Sequence, residues 1–114
     1  MPESDTSLFV CWTTAPDREI AQKLASLAIE KGAAACAQID GPINSVYLWK
    51  DQVETDQEFR LWFKTTRRCL DALEELVAEN HPYDTPQWVC LKAEKVSEKY
   101  LKWAGDVANL RGFA

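Results

Sequence analysis

From Asn44 to Thr66 the chain reads as extended backbone broken once, and this stretch constrains the fold more than any other. Val46, Leu48 and Lys50 point to one side and Tyr47 and Trp49 to the other, because successive strand side chains alternate faces. Val53–Thr66 repeats the pattern over a longer run: Phe59, Leu61 and Phe63 alternate with Glu58, Arg60, Trp62 and Lys64. Asp51-Gln52 between the two runs reads as the turn. The spacing therefore predicts a hairpin of unusual length for a small protein. Two long paired strands twist strongly, and their tips project beyond one small sheet. The arm carries Tyr47 and Trp49, with Trp62 further along it, and those rings need cover. A neighbouring subunit supplies that cover and protects the sheet's edges.

The segments around the hairpin complete one plan. Ser7–Thr14 is β-branched and aromatic and reads as a buried strand. Pro16 then suits the first turn of a helix, with Asp17 and Glu19 at its positive end. Ile20, Leu24, Leu27 and Ala28 recur at helical spacing up to Lys31, and Gly32 fits the C-cap. Ala34–Asp40 is a second strand, which Gly41-Pro42 bends or bulges before Asn44. After the hairpin, Leu70, Leu73 and Val77 stripe a helix over Arg67–Asn80. His81–Pro86 holds two prolines and is a loop. Trp88–Ala93 is a short strand, and Ser97 caps a last helix, Glu98–Leu110. The order β-α-β-β-α-β plus a terminal helix is the α+β, ferredoxin-like plan: an antiparallel sheet with two helices on one face. One sheet face remains for the extra helix and a partner sheet.

Length and charge narrow the function. The 114 residues make a single domain, 1–114, large enough to bury roughly two-thirds of its unfolded surface without staples. A net charge of −5 argues against nucleic acid and anionic membrane, which demand a basic face. The longest uncharged stretch, Thr6–Pro16, is too short to cross a bilayer. The opening residues MPESDTS are acidic and polar, unlike a secretory leader, so a cytoplasmic protein is expected. Five tryptophans exceed what one small core hides. Trp12 and Trp88 fit core strands, which leaves Trp49, Trp62 and Trp103 for a subunit interface or cleft.

Cys11, Cys36, Cys69 and Cys90 are far apart, with no C-x-x-C pair, so a zinc ribbon or thioredoxin motif is absent. Three of them sit in apolar runs and read as small buried hydrophobes. The functional alternative is a thiolate ligand for a soft metal, for which Cys36 is the candidate. No G-x-S-x-G, H-E-x-x-H or P-loop is present, and one histidine cannot fill several roles. No enzyme activity is expected.

Five motifs in order carry a resemblance over Phe9–Trp103: Thr13-Thr14-Ala15-Pro16, Ala34-Ala35-Cys36-Ala37, Ser45-Val46-Tyr47-Leu48-Trp49, Glu58 with Lys64-Thr65, and His81-Pro82-Tyr83-x-x-Pro86, with Tyr100-Leu101-x-Trp103 closing the pattern. Together they resemble the CutA family of divalent-cation tolerance proteins. The resemblance implies a homotrimer whose subunits join at strand edges, as in the PII-like signalling proteins, and a role in tolerance to copper and other divalent cations. It also implies two departures: copper-linked members can carry Cys at the position of Thr13 and a second His at that of Asn80. His81 is then the imidazole left on a family-matched metal position, and a metal site needs ligands borrowed from elsewhere.

The candidates follow. His81 is a metal ligand, or its ring fixes the loop by hydrogen bonding to backbone. Glu58, Trp62 and Lys64 share one side of their strand and, with Trp49, Tyr83 and Trp103, line an inter-subunit cleft of the kind that takes a small molecule; otherwise Trp49, Trp62 and Trp103 are trimer contacts and Glu58–Lys64 a partly buried pair. Glu54, Asp56 and Glu58 alternate on one side, as oxygen ligands for a hard cation or as a solvated face. The expected cofactor is Cu2+ or another divalent cation, and the expected partner a second and third copy of the chain. A PII-like adaptor binding a metabolite in the cleft is the alternative.

Overall fold

The computed structural model describes residues 7–111. Met1–Thr6, on which the reading of the opening falls, and the last three residues of the 1–114 domain lie outside the described residues. The elements run β1 (Leu8–Ala15), α1 (Arg18–Glu30), β2 (Cys36–Trp49), β3 (Gln52–Thr66), α2 (Arg67–Asn80), β4 (Val89–Lys92) and α3 (Glu98–Val107). The sheet order is β2-β3-β1-β4, and each adjacent pair is antiparallel. This is the ferredoxin-like arrangement that the element order predicts.

The strand alternation decides the two layers. Phe9 and Cys11 of β1 and Leu61 and Phe63 of β3 face the helices, where Leu24 and Ala28 of α1 and Leu73 and Val77 of α2 close the core. Phe63 and Leu61 are fully buried, each contributing about 2–3 kcal/mol of transfer free energy. A second cluster of Leu8, Ala35, Cys69, Ala104 and Ala108 lets α3 cover one end of the opposite face. The rest of that face is open, and Trp12 lies there instead of in the core. Its ring stands 5.0 Å from that of Trp62, its register partner. Trp88 does pack against the core, 6.1 Å from Phe63.

Local boundaries differ from the sequence reading for identifiable reasons. Helix α1 starts after Pro16, because Asp17 is the N-cap: its Oδ1 accepts from the Ile20 N–H at 2.8 Å. The helix ends in paired bonds, from Ala33 N–H to Ala28 O and from Gly32 N–H to Ile29 O, with Gly32 at φ +74, the left-handed closing residue of a Schellman motif. The hairpin turn is Lys50-Asp51, one residue earlier than expected, because Trp49 pairs with Gln52. Both turn residues have positive φ, 49° and 65°, as a two-residue turn of this hand requires. Helix α3 stops at Val107, short of Leu110, and Ser97 makes no side-chain cap bond.

The bulge has the largest consequence. Strand β2 is continuous, yet its register jumps from Asp40 opposite Arg60 to Ile43 opposite Glu58. Gly41, at φ +143, occupies the jump, and a Cβ there would meet Phe59 Cδ2 at 2.8 Å. Before the bulge, even-numbered residues of β2 share the open face. After it, odd-numbered residues do, so Tyr47 and Trp49 arrive on the same side as Glu54, Asp56 and Glu58.

Candidate functional site

At the Thr14 end of the open face, the hairpin and the loop after α2 enclose a cleft of about 580 Å³. Glu54, Asp56 and Glu58 from β3 and Asp84 from the loop contribute carboxylates, and Tyr47, Trp49 and Tyr83 contribute rings. No lysine, arginine or histidine is among the described residues that line it. Arg60, next along the same face, is spent elsewhere: its Nη2 meets Asp40 Oδ2 at 2.7 Å and holds the Asp40 carboxyl below its usual range.

Two tyrosines hold two of the carboxylates. The Tyr83 hydroxyl donates to Glu58 Oε2 at 2.7 Å, and the Tyr47 hydroxyl donates to Asp56 Oδ2. Glu58 is 8% exposed, so this bond offsets part of the desolvation of a buried carboxylate. The tyrosines register the negative field. The hydrogen bond to Asp56 comes first in pushing Tyr47 up to about 12, and burial, then the bond to Glu58, pushes Tyr83 up as well.

His81 stands behind the cleft as its hinge pin. Its Nδ1 accepts from the Tyr83 N–H at 3.1 Å, so the proton sits on Nε2, which donates to the buried Thr14 carbonyl at 2.7 Å. Thr13 Oγ1 lies 3.4 Å from the same nitrogen, and the ring packs 4.8 Å from that of Tyr83. Both nitrogens are engaged with backbone, the second of the two roles weighed from sequence. Asn80, beside it, turns back to donate to Leu76 O at 2.8 Å.

The remaining candidates lie elsewhere. Cys36 sits at the other end of the face, level with Lys64 and Val10 rather than with Thr14. Four residues along a strand and two strands across separate it from the His81 contact, roughly 16 Å by strand geometry. Among the described residues no three His, Cys, Asp or Glu side chains converge closely enough to hold a metal ion. Of the six residues read as a cleft, Trp49, Glu58 and Tyr83 line it. Trp62 pairs with Trp12 instead, Lys64 donates to Gln38 Oε1 at 2.5 Å, and Trp103 packs on Tyr100, 5.5 Å away, on α3. The reading did not place Thr14, Tyr47 or Asp84 in the cleft. Tyr47 was the legible one, since it alternates in phase with Trp49.

Comparison with known proteins agrees with this architecture. Residues 9–107 match the family model described as CutA1 divalent ion tolerance protein. A chloroplastic CutA protein of Arabidopsis thaliana is 39% identical over 105 residues, 90% of this chain and 58% of that protein; the chain thus spans less than two-thirds of that relative's length. The divalent-cation tolerance protein CutA of Thermus thermophilus is 37% identical over 90 residues, 79% of this chain and 87% of that one. The crystal structure of CutA1 from Oryza sativa superposes with a TM-score of 0.88 at 37% identity, covering 96% of this chain and 98% of that one.

Proposed function

The chain belongs to the CutA1 family of divalent ion tolerance proteins, and on that premise we propose that it acts in divalent-cation tolerance as a non-catalytic homotrimer that binds copper or another divalent cation weakly. The observation that carries the cation reading is the cleft itself: four carboxylates, three aromatic rings and no basic side chain among the described residues lining it. Oxygen donors of this kind suit hard cations best and hold copper only weakly. Their spacing suits loose binding, because strand residues two apart are about 6.6 Å from each other and two of the carboxylates are already held by tyrosines. A tight imidazole or thiolate copper site does not fit one protomer, since His81 has both nitrogens on backbone and Cys36 lies at the far end of the face.

The trimer reading draws on the arm. Val46, Leu48, Trp49 and Val53 are 59–73% exposed, an apolar tip that a lone chain leaves in water. Neighbouring subunits that pair at strand edges cover such a tip and remove the open edges of β2 and β4.

Two measurements test the proposal. Light scattering gives three times the 13.0 kDa chain mass; a mass of one chain refutes the trimer. Calorimetric titration with Cu2+ gives a heat that His81→Ala retains and the Asp56→Asn, Glu58→Gln double variant loses. A wild type without measurable heat, or a double variant that keeps it, refutes the cleft as the cation site.

A further inference from the structure

Cys11 of β1 and Cys90 of β4 oppose each other directly in the strand register. Cys11 belongs to the buried core and Cys90 packs against it, so both thiols point to the helix side. The ladder's hydrogen bonds place them more closely. The Ala93 N–H donates to Leu8 O at 2.8 Å, and these two residues continue the register in which Phe9 opposes Lys92. Leu8–Ala93 is thus a hydrogen-bonded pair. Such pairs alternate with non-hydrogen-bonded ones, so Cys11–Cys90 is of the second kind, in which Cα atoms stand about 4.5 Å apart. That separation falls at the short end of the span of roughly 4.4–6.8 Å that a disulfide bridges. Both cysteines are free.

We propose that Cys11 and Cys90 form a redox-active pair, which a hydroperoxide converts into a cross-strand disulfide. In the single protomer Cys90 is partly exposed on a four-residue strand, whereas Cys11 is fully buried, so Cys90 meets the oxidant. Its thiolate attacks the peroxide: an S–O bond forms, the O–O bond breaks, and the leaving oxygen takes a proton to give water or an alcohol. The Cys11 sulfur then attacks the sulfenic sulfur of Cys90, the S–O bond breaks, and hydroxide departs as water with the Cys11 proton. Two thiols lose two electrons and two protons, and the peroxide gains them.

Burial comes first in raising both thiols. The negative charge of Glu74 on α2 further disfavours either thiolate. Oxidation is therefore slow at neutral pH, and the short span makes the product readily reducible. The bond staples edge strand β4, into which the loop of Tyr83 and Asp84 runs, to β1 at the centre of the sheet.

The test uses the full chain, incubated natively with hydrogen peroxide, alkylated in denaturant and digested without reductant. The expected product is one peptide joining Cys11 to Cys90, two hydrogens lighter than its parts, with Cys36 and Cys69 alkylated; dithiothreitol reverses it. Cys90→Ala, folded by circular dichroism, yields no such peptide. Should that variant unfold, the wild-type peptide map decides alone. Cys11 fully alkylated after exhaustive oxidation, Cys90 ending as sulfinic or sulfonic acid, or Cys36 as the partner of either residue overturns the proposal.

Discussion

Replacing His81 with alanine separates a structural histidine from a metal ligand. The substitution removes the 2.7 Å bond to Thr14 O and the 3.1 Å bond from Tyr83 N–H, together with ring packing on Tyr83. Each hydrogen bond contributes about 1 kcal/mol net, and a buried group left without its partner costs about 1–3 kcal/mol. Thr14 is buried, so its carbonyl bears that penalty, and the expected loss is about 2–3 kcal/mol. For a chain of this size each kcal/mol moves Tm by about 4 °C, which gives a fall of roughly 8–12 °C. The assay is thermal unfolding by circular dichroism at fixed protomer concentration, because self-association makes Tm concentration-dependent. His81→Gln, whose amide replaces one of the two bonds, falls between. A loss under about 0.5 kcal/mol, the range of an ordinary surface change, refutes the hinge-pin role.

Other outcomes follow from the same geometry. Phe63→Ala, at a fully buried position, lowers stability by about 3–5 kcal/mol; a denaturant midpoint shift under half of that argues against the core as described. Replacing Lys50-Asp51 with Asn-Gly relieves two non-glycine residues at positive φ and stabilises the hairpin by about 1 kcal/mol, read as a raised Tm; a lowered Tm contradicts the turn. Leu48→Asp, at a position 67% exposed in one chain, shifts the light-scattering mass toward the monomer, and an unchanged mass removes the arm from the interface. Tyr47, Tyr83 and Tyr100 are all raised above the ordinary 10.0. Groups so raised stabilise the fold fully below pH 10 and lose that contribution as pH climbs toward 12. Phenolate absorbance at pH 10, where a free tyrosine is half ionised, therefore falls below that of three free tyrosines; an absorbance equal to theirs contradicts the tyrosine–carboxylate pairs.

The layers were legible because strand period and helix period are short-range signals. Phe59–Lys64 alternates so regularly that its buried side could be named from sequence, and the stripe of Leu70, Leu73 and Val77 named the face of α2. Pairing was harder to read. The bulge at Gly41 exchanges odd for even, so the partners of Tyr47 and Trp49 depend on one extra residue whose effect is felt only across the ladder. Trp12 misled because an aromatic in an apolar strand fits either face, and the face is set by Phe9 and Cys11 beside it. Cys36 was named by residue chemistry and His81 by its family-matched position; the register puts them at opposite ends of the sheet. His81 kept both readings open until its two nitrogens were seen to meet backbone, a contact between residues 67 positions apart.

The most direct test of the proposed cation cleft is a crystal soaked in Cu2+ and measured at the copper absorption edge. The account predicts an anomalous peak in the cleft among Glu54, Asp56, Glu58 and Asp84, with His81 still bonded to Thr14. A peak on the His81 ring or on the Cys36 thiol contradicts it.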